Sequence, residues 1–206
     1  MNNITRLVST SADAAAFAGG YFRYLAEVLT ALDTAAVAQI VDELETTRAA
    51  GHTIFIAGNG GSAATASHMV NDLVFGTRTA DGRPTFRAVS LSDATSLVTA
   101  IANDVSYEQV FVWQLQQSFR PGDRLIVISA SGHSPNILAA AQWARANGGR
   151  VIGLLGFDGG AAKALCDVAL TVATPKGEYG PVEDVHMAID HILTAWLQHR
   201  IAAAAV

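Results

Sequence analysis

From His52 onward the chain alternates short apolar runs with longer amphipathic stretches. The runs are Thr53–Ala57, Phe86–Leu91, Leu125–Ile128, Val151–Leu155 and Val168–Val172, each dense in branched apolar residues on both faces. That pattern predicts strands buried on both sides, as in a parallel sheet. Helices are predicted near Ser62–Phe75, Tyr107–Phe119, Pro135–Asn147 and Glu183–Ile201, and Asp158-Gly159-Gly160 marks a further strand-to-helix connection ahead of a shorter helix. Five β/α steps predict an α/β fold, an open doubly wound five-stranded parallel sheet with its ligand crevice at the carboxyl ends of the strands. Ahead of it, residues from about 11 to 50 read as two helices. Tyr21, Phe22, Leu25, Val28, Leu29 and Leu32 recur at helical spacing, and Asp33-Thr34 caps the stretch Ala35–Ala49. The expected organisation is an N-terminal helical segment, 1–50, serving packing and oligomerisation, followed by a ligand-binding domain, 51–206.

Composition narrows the picture. The 206 residues are 50% hydrophobic and 15% charged, so much surface must be buried, between subunits as well as within one. A formal net charge of −5 without any Lys/Arg run excludes a nucleic-acid surface. Cys166 is the single cysteine, which excludes an internal disulfide framework and fits a reducing cytosol. The first residues lack the apolar core of a signal peptide, and no apolar stretch is long enough to span a bilayer. The expectation is a cytoplasmic protein without membrane or nucleic-acid partners.

Two strand-to-helix turns carry the candidate chemistry. One is Gly58-Asn59-Gly60-Gly61-Ser62, the other Ser129-Ala130-Ser131-Gly132-His133-Ser134. A strand that opens through small polar residues onto a helix aims free N–H groups and a partial positive charge at one point, the arrangement that receives a phosphate. The first turn lacks the glycine spacing of dinucleotide binders and the Gly-Lys-Ser/Thr ending of a P-loop, so a nucleotide is disfavoured. Ser129, Ser131 and Ser134 supply more hydroxyls than one helix cap requires. The bland alternative, glycines serving backbone geometry alone, fits the first turn but not both together.

A second group of residues has metal-ligand chemistry. His68 and Asp72 lie four apart on one helix face. Glu183 and His191 lie eight apart on the last helix, a little over two turns. Two imidazoles and two carboxylates suit a tetrahedral zinc, although His186 and Asp190 compete for the same role by spacing. Ser92-Asp93-Ala94-Thr95 and Asn103-Asp104 read as helix caps or as partners for substrate hydroxyls. Trp113, Trp143 and Trp196 read as packing residues.

The two turns, Asn103-Asp104 and the His-Ile-Leu at His191 resemble the sugar isomerase (SIS) domain, and more closely the sedoheptulose-7-phosphate isomerases, also called phosphoheptose isomerases. The resemblance covers nearly the whole chain. It implies a flavodoxin-like sheet in a homotetramer with active sites at subunit interfaces. It also implies that Ser129, Ser131 and Ser134 hold the sugar phosphate, that Asn59, Gly60, Gly61 and Ser62 line the pocket, and that Asn103 and Asp104 contact substrate. The family's zinc ligands, a His, a Glu, a Gln and a His, fall on His68, Asp72, Glu183 and His191.

Three positions depart from the family. Asp72 replaces Glu and must reach roughly 1.5 Å farther, Glu183 replaces Gln and adds a charge, and Ala130 replaces a Thr beside the phosphate serines. The implied reaction is aldose–ketose isomerisation of a phosphorylated sugar through an enediol, with Asp72 as base, His191 as acid/base partner, and Glu183 and Ala130 lining the substrate site. Two other readings belong to the same family. One is a non-enzymatic binding protein of the replication-initiator-associating type; the other is an etherase of phosphorylated amino sugars.

Overall fold

Ile54 and Ile56 point to one side of strand β1 (Thr53–Gly58), and Phe55 and Ala57 to the other; all four are buried. The same alternation holds in β3 (Arg124–Ser129), with Ile126 and Ile128 opposed to Leu125 and Val127. A sheet apolar on both sides needs a helical layer on each face, and the computed structural model, which describes residues 2–82 and 85–204, shows this. With β2 (Arg87–Ser90), β4 (Arg150–Gly156) and β5 (Val168–Val172), the strands form one sheet in the order β2-β1-β3-β4-β5, every neighbouring pair parallel.

One face packs against α3 (Thr34–Ala49), α4 (Gly61–Asn71) and α8 (Tyr179–Ala204), through Ile40, Leu44, Met69, Val185, Ile189 and Leu193. The other packs against α5 (Thr95–Asp104), α6 (Val112–Ser118) and α7 (Pro135–Ala146), through Ile101, Leu115, Ile137 and Ala141. Helix α2 (Ala14–Thr30) contributes Val28 to the first core, and the short α1 (Asn3–Thr10) rests on it, Leu7 closing on Gly20 where a side chain would collide. Buried Glu178, just ahead of α8, accepts hydrogen bonds from the Asn3 N–H and the Tyr24 hydroxyl and so ties both N-terminal helices to α8.

The five predicted strands are all present, and Asp33 caps α3 as expected, accepting from the N–H groups of Ala35 and Ala36. Helices α1 and α5 add to the predicted set. Asn103 and Asp104 are the last two residues of α5 rather than the cap of a following helix, and Ala94, with no side-chain acceptor, stands at its start. The stretch predicted as one helix from Tyr107 divides into a 3₁₀ turn, Tyr107–Gln109, and α6. After Asn71 the chain widens into a π-helical turn, Asp72–Gly76, a form concentrated at functional sites. Helix α8 begins earlier than predicted and runs through Pro181, whose missing N–H falls among the unpaired donors of the first turn. Of the tryptophans, Trp143 packs edge-on against Phe119, whereas Trp113 and Trp196 are exposed in the single chain.

Helices α4 and α8 run parallel in a fixed register. The Glu183 carboxylate lies over Gly61, Asp190 bonds His68, and the Gln198 side-chain amide donates to the Gly76 carbonyl. The offset is 122 residues at each of these points along the pair.

His186 faces the sheet from α8, fully buried, its Nε2 3.2 Å from the Leu155 carbonyl and its Nδ1 without a partner among the described residues. Burial pulls its pKa down from 6.5 to about 4. The unfolded chain takes up this proton near pH 6.5 and the folded chain only near 4. The neutral ring's contribution is therefore whole above pH 6.5 and is lost as pH falls toward 4, by up to about 3 kcal/mol. Urea midpoints of wild type and His186→Gln at pH 7 and pH 4.5 check this. The variant should lose less stability on acidification, and an identical pH dependence would contradict the assignment.

Candidate active site

Strands β1 and β3 flank the point where the strand order reverses, the crevice position of doubly wound sheets. They end level, with Gly58 paired to Ile128, so both Gly/Ser turns emerge side by side. Gly60 starts α4 at φ +54 with no side-chain cap. Ser134 starts α7, followed by Pro135, and its hydroxyl makes no capping bond. Neither helix start carries a side-chain cap; the Ala63, Ala64, Ile137 and Leu138 N–H groups bond the carbonyls just ahead of them and Pro135 has no N–H, so what each start offers an anion is chiefly its partial positive charge. Between them lies a cavity of about 170 Å³ lined by Asn59, Ser62, Ser129, Ala130, Ser131, Ser134, Tyr179 and Glu183. It is smaller than the roughly 300–1,000 Å³ of sites that enclose a drug-sized ligand, so it suits the anionic end of one.

The serine turn is rigidly built. The Ser129 hydroxyl accepts the Gly132 N–H at 3.1 Å, and the Ser131 hydroxyl accepts the His133 N–H at 3.3 Å. Gly132 has φ +63, and a Cβ there would stand 2.0 Å from the Gly159 carbonyl oxygen, so no other residue fits. Asn59 does less toward a ligand than its place in the turn suggests. Its amide pairs reciprocally with Asn136, both bonds at 2.9 Å, and its Oδ1 also accepts the Tyr107 hydroxyl at 2.8 Å. This amide pair fastens the β1 turn to α7 across the switch point.

Glu183 lines the same cavity. Its carboxylate lies so close over Gly61 that a Cβ there would come within 2.4 Å of either oxygen. It therefore neutralises the positive end of α4, leaving the α7 end and the serines to hold an anion.

His68, Asp72 and His191 come together two turns farther along α4. One ligand atom from each lies within 4.8 Å of the others. The His68 and His191 rings meet edge to face at 5.1 Å, and His68 Nδ1 is 3.7 Å from Asp72 Oδ2. Asp190, buried on α8, takes the His68 Nδ1 hydrogen at 2.8 Å. That bond is the main reason the His68 pKa is raised, while burial raises that of Asp190. Two imidazoles and a carboxylate with an open side are the donor set of catalytic zinc sites, and these residues fit a divalent ion. Glu183 stands outside the cluster, eight residues or about 12 Å of helix from His191.

Other candidates lie elsewhere. Asn103 and Asp104 are exposed at the end of α5, bonded to each other at 2.7 Å, and do not line the cavity. The Ser92 hydroxyl donates to the Gly58 carbonyl, and Asp93 accepts the Ser90 and Ser67 hydroxyls, so both serve the strand edge. His186 belongs to the core. The residues sequence reasoning passed over are Asn136, Tyr107 and Tyr179. Asn136 is 1% exposed, and its only local signal is a polar residue inside a helix's first turn. A larger cavity, about 660 Å³, lies between α3 and α8, lined mainly by Val37, Val41, Ile192 and Trp196. It is mainly apolar, with Asp42 and Arg200 also in its lining.

Comparison with known proteins agrees with this geometry. The SIS domain family matches residues 20–156. The phosphoheptose isomerase of Trichlorobacter lovleyi is 43% identical over 160 residues, 78% of this chain and 80% of that protein. That of Burkholderia pseudomallei is 40% identical over 167 residues, 81% and 83% of the two chains. Among solved structures, the phosphoheptose isomerase of Neisseria gonorrhoeae superposes with a TM-score of 0.80 at 28% identity, over 88% of this chain and 97% of that one.

The buried Asn136 amide predicts a specific loss. Asn136→Ala strands the Asn59 amide and should cost about 1–3 kcal/mol of stability, read as a fall in the urea midpoint. It should also weaken inorganic phosphate binding measured by calorimetry. Unchanged values for both would show that the amide pair does not fix the turn.

Proposed function

The chain belongs to the SIS domain family, and from that membership we propose that it is an aldose–ketose isomerase converting sedoheptulose 7-phosphate to a heptose 7-phosphate. The observation that carries this reading is the two-part site on one helix. A small serine-lined cavity at the start of α4 takes an anion, and a His/Asp cluster two turns along takes the reacting carbons. A sugar phosphorylated at one end and carrying its carbonyl at the other spans such a separation. The relatives that match most of the chain are named for this reaction.

In this mechanism Ser129, Ser131 and Ser134 bind the phosphate, helped by the open N-terminus of α7, and Gly60, Gly61 and Ser62 shape the opposite wall. Substrate contact by Asn103 and Asp104 rests on the family resemblance alone, because in the single chain they lie outside the cavity at the end of α5. Asp72 takes the proton from one carbon and returns it to the next, while His191 donates to and accepts from the oxygens. His68, Asp72 and His191 would hold a zinc ion, with Glu183 joining them only if its side chain leaves Gly61. Zinc held there would supply Lewis-acid polarisation of the sugar carbonyl and stabilisation of charge on its oxygens. A carboxylate held by a metal ion is a weaker base, so Asp72 would act as base when released from the ion or would leave one of the two roles to a neighbour.

His191 is exposed and His68 partly so, leaving the cluster open on one side in the single chain. Large apolar residues are exposed on the N-terminal helices and on α8, among them Phe22, Ile192 and Trp196. These features support a homotetramer whose sites are completed between subunits, with residues 1–50 contributing to assembly. No single helix among the described residues is long and apolar enough to cross a membrane, which accords with a cytoplasmic enzyme. A purely binding role has less support, because it gives His191 and Asp72 no task.

Asp72→Asn and His191→Ala should each lower turnover by about 10²–10⁴-fold with the oligomer intact. Ser131→Ala should chiefly raise KM, by about 10–100-fold, through one lost bond to a charged group. Deuterium exchange at C1 and C2 of sedoheptulose 7-phosphate, followed by NMR with and without zinc, measures all three. Near-normal exchange in Asp72→Asn, or no exchange by wild type on any six- to eight-carbon ketose phosphate, would overturn the reading.

A further inference from the structure

We propose that Asp190 is a positioning residue for the metal centre: it holds the Nδ1–H of His68 so that Nε2 is the atom offered to the ion. The proposal rests on the metal reading of His68, Asp72 and His191 above. Asp190 is fully buried on the inner side of α8, next to the core residue Ile189 and one turn before Leu193. Its Oδ2 bonds His68 Nδ1 at 2.8 Å, and its Oδ1 has no partner among the described residues. A buried carboxylate with one oxygen unsatisfied is costly, and an apolar residue would fill this place in the core at least as well. What Asp190 does that an apolar residue cannot is fix a ring. An imidazole whose Nδ1 hydrogen is committed to a carboxylate has one tautomer and one orientation, and its other nitrogen is the better ligand.

The neighbouring residue completes the arrangement. Successive residues on a helix point about 100° apart, so Asp190 turns inward to His68 while His191 turns outward beside the same ring, 5.1 Å away. One dipeptide of α8 thus supplies a ligand and orients the ligand facing it. Asp190 itself stays out of the set of mutually close donor atoms. The parallel register of α4 and α8 keeps it opposite His68. Glu183, on the same helix, is spent on the start of α4.

The test is zinc affinity, measured on the full-length protein by competition with a chromophoric chelator. Asp190→Asn nearly conserves shape but removes the charge, and it should lower zinc affinity about 10–100-fold with the melting temperature of the metal-free protein little changed. Ser131→Ala, remote from the cluster, should bind zinc as wild type does. Equal affinity in Asp190→Asn and wild type overturns the positioning role while leaving the metal centre standing. Failure of wild type to bind zinc overturns the metal centre, and the positioning role with it. If Asp190→Asn does not fold, a crystal structure of zinc-loaded wild type decides. Ligation through His68 Nε2 with Nδ1 on Asp190 supports the proposal; ligation through Nδ1, or by Asp190 itself, overturns it.

Discussion

The parallel packing of α4 on α8 is the constraint on which the rest of the site depends. Two helices of equal rise laid side by side hold a constant residue offset, so one register sets every contact between them. Here that register places Glu183 on Gly61, Asp190 on His68 and Gln198 on Gly76. Slipping α8 by a single residue would turn His191 away from the cluster and move Asp190 off the ring. The pair is locked by its shared core, Met69 and Leu73 against Ile189 and Leu193, and at its upper end by Glu178 and the helices it ties down.

Within that frame, charge is distributed unevenly between the two helix N-termini at the crevice. Both α4 and α7 begin without side-chain caps. A carboxylate already sits on α4, at the one residue whose lack of a side chain admits it, whereas α7 faces three serine hydroxyls. An anion entering this cavity would therefore be drawn more strongly to its α7 side. Asp72 opens the π-helical turn that follows α4. There the shortened side chain still reaches the histidines, within 4.8 Å.

The sheet was legible because its evidence is local and repeated. Runs such as Leu125–Ile128 and Val151–Leu155 are apolar on both faces, and only a strand covered on both sides uses such a run. The Gly/Ser turns were legible for a similar reason, since glycines and hydroxyls at a strand-to-helix junction have few other uses. Helices α1 and α5 were not. Each is short, eight and ten residues, with one or no buried residue of its own, so it spans too few turns to stand out in the chain and tertiary contacts hold it in place.

The sequence by itself determined the strands, the two Gly/Ser turns and the placing of His68 and Asp72 on one helix face, because each depends on neighbours a few residues apart. It could not decide among Glu183, His186, Asp190 and His191, which share one helix and differ only in direction. Tertiary structure made that choice. The sheet claims His186 through Leu155, α4 claims Glu183 and Asp190 at its two ends, and His191 is left beside the cluster. Which face of α8 meets which partner follows from a register between segments 122 residues apart, and no local pattern in the chain encodes it.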